Sequence, residues 1–283
     1  MTSRIATLIA GAATLISSGA ASAAGPREWQ LGLPEPVTPT AEKIASFHDA
    51  LLVVITVISV FVLLLLLYTC VRFRESKNPN PSTTTHNTLI EFVWTVVPIV
   101  ILVGIAVPSF RLLYFADRTV NADMTLKIIG NQWYWSYEYP DHGNFTFDAN
   151  LVPDEEIKPG QLRLLETDNP VVLPVGKKVR LLLTSQDVIH AWAITAFGVR
   201  LDNVPGRTNE TWVQIDKPGT YYGYCSELCG TGHSYMPIMV KAVSPAEFAA
   251  WVEKAKKEFA RVDEAPAAEP AKPVKLAERK ASN

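Results

Sequence analysis

Within the twelve residues Cys225-Ser-Glu-Leu-Cys-Gly-Thr-Gly-His-Ser-Tyr-Met236 the chain places two thiols, an imidazole and a thioether. A second imidazole, His190, lies upstream between two predicted strands. Soft thiolates combined with imidazole and a weak thioether suit copper better than other common biological metals. One cysteine with His and Met would fit a single blue-copper ion. Cys225 and Cys229 together can bridge two coppers and share one electron between them, so the loop reads as a dinuclear electron-transfer centre. Zinc is an alternative, since it accepts two Cys and two His in a tetrahedron, but it leaves Met236 without a role. A Cys225–Cys229 disulfide is a second alternative; it would close a very small loop, with little entropic benefit. Copper accounts for every member of the set, and the other two stay open at this level. Glu227 stands between the cysteines. If both thiolates point inward, its backbone carbonyl faces the metal and its carboxylate points outward; otherwise it is a solvated turn residue.

Elements to hold such a loop must come from a chain of 283 residues with 48% hydrophobic residues and a formal net charge of −2. That allows one folded domain, membrane segments and tails, and no nucleic-acid partner is expected. Residues 1–24 have the layout of a secretory signal peptide: Arg4, an apolar stretch, then small residues ending Ala21-Ser22-Ala23. Residues 25–119 form an exported lead and a transmembrane hairpin, with spans at about 48–71 and 92–114. Leu51 to Val71 and Phe92 to Phe110 run without a charge, and the Leu63 to Leu67 run argues against a soluble core helix. Pro98 and Pro108 interrupt the second span, which transmembrane helices tolerate. Arg72, Arg74 and Lys77 give the connecting loop a modest positive-inside character. An exported N-terminus followed by two spans returns the chain to the exported side. Cys70, in the first span, reads as a small apolar filler.

From about Met124 the pattern changes to short β-rich runs. They cover Thr125 to Ile129, Trp133 to Tyr139, Val179 to Thr184, Ala191 to Phe197, Thr211 to Ile215, Tyr221 to Tyr224 and Ile238 to Ala242. Residues 120–245 are therefore expected to form an all-β Greek-key sandwich. Ser244-Pro-Ala-Glu247 combines a capping box with a first-turn Pro, so a short helix over 246–262 closes the domain. Residues 263–283, rich in Ala, Pro, Lys and Glu, are expected to be disordered. The strand at Trp133 would put Trp133, Trp135, Tyr137 and Tyr139 on a common side, more aromatic surface than one core face takes, which suggests an exposed aromatic contact. Glu138, Asp141, Asp148, Asp168 and Asp187 are either a solvated face or a surface steering a basic partner. Glu91 and Trp94 share a face of the second span at the membrane boundary, where a carboxylate rests among headgroups or admits protons.

The loop from Cys225 to Pro237 resembles the copper loop of cytochrome c oxidase subunit 2. Gly130-Asn-Gln-Trp-Tyr-Trp-Ser-Tyr-Glu-Tyr139, Asp187-Val-Ile-His-Ala-Trp192 and Glu91-Phe-Val-Trp94 resemble other segments of that family, and the match runs from about Phe47 to Trp251. The resemblance implies a cupredoxin-like domain and a dinuclear CuA centre of two copper ions. Cys225 and Cys229 would bridge both, His190 and His233 would each bind one, and Met236 and the Glu227 carbonyl would be weak axial ligands. The Glu227 carboxylate would reach a magnesium ion shared with subunit 1. Trp133 would be the electron-entry point, and Glu91 would lie near the mouth of a proton pathway. The implied activity is that of the electron-input subunit of a proton-translocating haem-copper oxidase, with subunits 1 and 3, cytochrome c and the lipid bilayer as partners. It would sit in a bacterial inner membrane as a multi-pass protein with its C-terminal domain in the periplasm. Asn131 departs from the His of some relatives. The rival reading is a membrane-anchored copper-delivery cupredoxin, which needs a labile, exposed site.

Overall fold

The computed structural model describes residues 25, 29–117 and 121–259. The leader at 1–24 and the tail at 263–283 lie outside the described residues.

Two long helices come first: α1 (Pro39–Arg72) and α2 (Thr88–Asp117). The Thr38 hydroxyl accepts the Ala41 N–H at 3.0 Å, Pro39 occupies the first turn and Glu42 complements the positive helix end. At the start of α2 the Asn87 side chain accepts the Ile90 N–H at 3.2 Å, and Glu91 reaches back to the Asn87 N–H at 3.3 Å. Pro98 and Pro108 lie inside α2 without ending it. Mean hydropathy reaches 3.3 in α1 and 2.5 in α2 over their most apolar 18-residue windows, and none of either window is buried. Apolar surface of that extent is stable in hydrocarbon and not in water. The helices run antiparallel, since residues near Glu42 on α1 meet Phe115 at the far end of α2.

Among the described residues beyond the hairpin, ten strands form two five-stranded sheets. In chain order they are β1 (Met124–Asn131), β2 (Tyr134–Tyr139), β3 (Phe145–Ala149), β4 (Val171–Pro174) and β5 (Lys178–Ser185). There follow β6 (His190–Ile194), β7 (Val199–Asn203), β8 (Asn209–Gln214), β9 (Gly219–Cys225) and β10 (Pro237–Val243). One sheet has the order β3-β2-β1-β5-β8 and the other β4-β10-β9-β6-β7; β1–β5 and β4–β10 are parallel and the other pairs antiparallel. This is a cupredoxin-like sandwich. Its core alternates strictly along β5, where Val179, Leu181 and Leu183 are buried, and meets Leu126, Ile128, Trp192, Ile194 and Ile238 across the interior. Each such side chain contributes about 1.5–3 kcal/mol of hydrophobic stabilisation. The helix α3 (Pro245–Glu258) starts with the full Ser244/Glu247 capping box and buries Phe248, Val252 and Ala255.

Several expectations need correction. The aromatic run is not one strand: β2 begins at Tyr134, leaving Trp133 in the preceding turn. Trp135, Tyr137 and Tyr139 are all buried: Phe145 and Phe147 on β3 and Trp251 on α3 form an aromatic layer around Tyr137 and Tyr139, and Trp135 meets the His190 ring. The strand expected over Ala191 to Phe197 ends at Ile194 and gives way to a 3-10 turn, Thr195–Phe197. Strands β3, β4 and β7 were absent from the sequence reading.

Both ends of the hairpin dock on the sandwich. Val37 N–H donates to the Ala196 carbonyl at 3.2 Å, the Thr38 hydroxyl donates to the Phe197 carbonyl at 2.7 Å, and Asp216 N–H donates to the Val37 carbonyl at 2.9 Å. At the other end Trp212 Nε1 donates to the Phe115 carbonyl at 3.3 Å, and the two rings meet edge-on at 5.5 Å. Replacing the buried Thr38 by Val removes a helix cap and strands the Phe197 carbonyl, a loss of about 1–2 kcal/mol. The Thr38→Val protein is expected to melt earlier in detergent and to be cleaved faster near the lead. An unchanged melting temperature would show that the docking does not depend on this residue.

Candidate metal centre

Cys225 is the last residue of β9 and is held from both sides. It pairs with Trp192 of β6, and its N–H donates to the Met236 carbonyl at 3.1 Å. The loop it opens returns through a 3-10 turn, His233–Tyr235, to Met236 and β10. His190 is not in a connection, as the sequence suggested: it is the first residue of β6 and fully buried. Its ring stands edge-on to Trp135 at 5.9 Å. Gly130 makes room for it, since a Cβ there would come within 2.7 Å of His190 Cδ2.

The donor atoms converge. Cys225 and Cys229 are free and buried, with their sulfurs 3.8 Å apart, so no disulfide joins them in this structure. His190 Nδ1 lies 3.8 Å from Cys225 Sγ, and His233 Nδ1 lies 3.6 Å from Cys229 Sγ. The Glu227 carbonyl is 3.3 Å from Cys225 Sγ. His190, Cys225 and Cys229 bring their donor atoms within 4.8 Å of one another, while His233 stands off to the Cys229 side. Met236 is buried beside them in the core. Soft sulfurs flanked by imidazole nitrogens fit a thiophilic metal.

Electrostatics prepare the thiols unequally. Burial disfavours the Cys225 thiolate, but hydrogen bonds from His190, the Ala191–Glu227 backbone and His233 outweigh it and lower its pKa. Burial and the neighbouring Cys225 charge both raise Cys229. The metal-free pair therefore gives up its first proton readily and holds its second. His190 is raised by Cys225 and Asp187 against the desolvation of its buried ring.

Sequence reasoning missed the residues that orient these donors. Asp187 Oδ1 lies 2.8 Å from His190 Nε2, leaving Nδ1 for the metal side. Its other oxygen accepts the Gln132 N–H at 2.7 Å. Gln132 Nε2 and Trp133 Nε1 both donate to the Cys229 carbonyl, at 2.7 and 3.2 Å. Trp133 is 37% exposed and its ring lies on the loop: a Cβ on Gly232 would meet Trp133 Cγ at 2.4 Å. Arg200 on β7 clasps the loop from outside, donating to the Ser226 hydroxyl at 2.8 Å and its carbonyl at 3.0 Å and facing the Glu227 carboxylate at 3.8 Å. The Asp187-x-x-His190 spacing and the glycines of the loop were the available signals. Glu91 is remote from this cluster, in the first turn of α2.

The five acidic residues read as a steering face each hold a contact within the domain, while Asp141, Asp148, Asp168 and Asp187 stay exposed. Glu138 pairs with Lys127 at 3.0 Å, Asp141 accepts Thr125 N–H, Asp148 accepts the Ser136 hydroxyl, Asp168 accepts Asn150 N–H, and Asp187 serves His190.

A family model described as cytochrome c oxidase subunit II, periplasmic domain, matches residues 124–243, and one described as its transmembrane domain matches residues 26–112. A Rickettsia bellii protein named probable cytochrome c oxidase subunit 2 is 49% identical over 230 residues, covering 81% of this chain and 86% of its own. Cytochrome c oxidase subunit 2 of Oenothera berteroana is 46% identical over 230 residues, covering 79% of this chain and 89% of its own. Among solved structures, the periplasmic domain of subunit II of cytochrome oxidase of Bradyrhizobium japonicum is 52% identical, with a TM-score of 0.48, and covers 50% of this chain and 100% of its own.

Two outcomes follow from the geometry. Gly232→Ala forces the Trp133 ring off the loop at a cost of about 1–3 kcal/mol, and the indole fluorescence should shift as the ring becomes solvated; an unshifted spectrum would show that ring and loop do not touch. Metal uptake must expel the proton that Cys229 retains at neutral pH. Apparent affinity should therefore rise with pH, by about tenfold per unit for each proton released, and calorimetry in buffers of different ionisation heat should detect that release. A pH-independent affinity would mean that both thiols are already ionised.

Proposed function

The chain belongs to the cytochrome c oxidase subunit II family and is a membrane-anchored subunit with a copper centre in its β domain; from that premise we propose that the centre is a dinuclear CuA site. It would take electrons from cytochrome c and pass them to haem in subunit 1. The observation that carries this reading is the donor set: two cysteine sulfurs 3.8 Å apart, each with an imidazole beside it, His190 Nδ1 3.8 Å from Cys225 Sγ and His233 Nδ1 3.6 Å from Cys229 Sγ. Two thiolates and two imidazoles, with the Glu227 carbonyl and the Met236 thioether as further donors, are more than one tetrahedral ion takes and would suffice for two copper ions sharing the sulfurs.

Copper bound there would supply a one-electron couple shared across the two thiolates. The chain's own residues keep its surroundings fixed. Cys225 and His190 are set in neighbouring strands, Asp187 holds the His190 ring, and the Cys229 carbonyl is tied to Gln132 and Trp133. Little then has to move when the charge changes. Trp133, half on the surface and hydrogen-bonded to the backbone of a ligand, is suited to electron entry. The Glu227 carboxylate points away from its own carbonyl toward Arg200 and solvent, which suits a magnesium ion shared with subunit 1. Glu91, at the end of α2 away from the domain, is suited to the mouth of a proton pathway. Oxygen chemistry and proton translocation belong to the partner subunits, with subunit 3 completing the assembly. The proposed setting is a bacterial inner membrane with the β domain in the periplasm.

A copper-delivery role is disfavoured by burial: His190, Cys225 and Cys229 are 0%, 2% and 3% exposed, whereas a donor of metal needs an accessible, labile site.

Copper stoichiometry and electron paramagnetic resonance on the detergent-solubilised protein test the reading. Two coppers with one unpaired electron delocalised over equivalent nuclei are expected. One copper with a mononuclear spectrum would overturn the dinuclear assignment while leaving the family membership intact.

A further inference from the structure

We propose that the groove between α1 and α2 is a binding site for one glycerophospholipid of the exported leaflet, its phosphate held by Lys43 and Arg111. The groove has a volume of about 890 Å³ and is lined on α1 from Glu42 to Val54 and on α2 from Ile101 to Phe115. Its polar groups are confined to one end: Glu42, Lys43 and Ser46 from the first turns of α1, and Arg111 from the last turns of α2. Below them the walls are apolar, formed by residues such as Leu51, Val54, Ile101 and Ile105.

Three observations fix the occupant. First, depth. The α1 wall from Glu42 to Val54 is twelve residue steps long, about 18 Å at a rise of about 1.5 Å per residue. One leaflet contributes about 15 Å of a hydrocarbon core of about 30 Å. With its polar rim at headgroup level, the groove ends inside one leaflet, which matches an acyl chain; a partner helix crossing the membrane would need a seam of the full thickness. Second, charge. Two cations stand over an apolar slot where the hydrocarbon ends, and phosphate is the anion available at that level. Lys43 is already steadied there by the Phe115 ring, 4.7 Å from its Nζ. Glu42 on the same rim would engage an ammonium-bearing headgroup. Third, space. Gly104 lines the groove and a Cβ added to it meets nothing within 4 Å, so the slot is open at that depth.

The test uses the assembled, membrane-extracted oxidase. Phospholipid retained after detergent washing is counted by native mass spectrometry for the parent and for Lys43→Gln, Arg111→Gln and Gly104→Leu. Each lost cation is expected to weaken retention about fivefold. Gly104→Leu, which fills the slot without touching the rim, should also lose the lipid. Copper content and spectrum, measured on the same samples, should not change. A photo-crosslinking residue at Ile105 provides the second measurement and is expected to yield a lipid adduct. Equal lipid retention in all variants, or a crosslink to a peptide of a partner subunit, would overturn the proposal, the latter identifying a protein occupant.

Discussion

The pairing of β9 between β6 and β10 is the constraint on which the rest of the centre depends. Cys225 lies opposite Trp192 on one side and gives its N–H to Met236 on the other. Those contacts bring three distant parts of the chain to one point. Trp192 fixes the register of β6, and two residues earlier on the same face stands His190. Met236 fixes where the loop must return, and so how far Cys229 and His233 can stray. Side chains alternate along a strand, so a slip of one residue in β6 would turn His190 out of the site. The metal geometry is thus a matter of sheet register more than of loop conformation. The deep apolar core, with Trp192 and Ile194 fully buried, holds that register.

A buried donor set creates its own electrostatic problem, and the surroundings are arranged to meet it. Two thiols and an imidazole out of water disfavour charge. Hydrogen bonds to Cys225 and the Asp187–His190 contact recover part of that loss, while burial and the neighbouring Cys225 charge both push the Cys229 thiol up. A metal cation held between the sulfurs would remove the conflict. Asp187 has a double role here. Through one oxygen it orients His190, and through the other it fixes Gln132, whose side chain and neighbour Trp133 bind the Cys229 carbonyl. One carboxylate thereby links the His190 ring to the backbone of Cys229.

What the sequence made legible was local. The ligand loop carries its chemistry in a dozen contiguous residues, and the apolar spans are continuous, so both could be read without a partner segment. The α3 cap was equally local. What escaped depends on contacts between distant residues. The strand β7, Val-Arg-Leu-Asp-Asn, is half polar because its outer face carries Arg200 toward the loop, and nothing in its composition announces a strand. The aromatic run from Trp133 to Tyr139 reads as one strand, because the turn that sets Trp133 aside from the other rings depends on Asp187, more than fifty residues away. Asp187 itself looked like part of an acidic surface. Charge is visible in a sequence, but the partner that consumes it is not.

The same distinction governs how the domain is held over the membrane. The strand β6 has His190 at its start and runs into the Thr195–Phe197 turn at its end. That turn receives the lead before α1, through Val37 and Thr38, while α2 delivers Phe115 to Trp212 on the other sheet. The two helices therefore grip the sandwich through both of its sheets, and neither grip uses a residue of the candidate metal centre. A ligand can then relax without loosening the anchor, and the anchor can bear strain without displacing a ligand. Electron transfer depends steeply on distance, so a redox domain gains from a fixed height above the bilayer. Backbone hydrogen bonds at Val37, the hydroxyl bond of buried Thr38 and an indole bond at Trp212 provide that fixity more firmly than surface ion pairs such as Lys217–Glu35, whose groups remain largely in water.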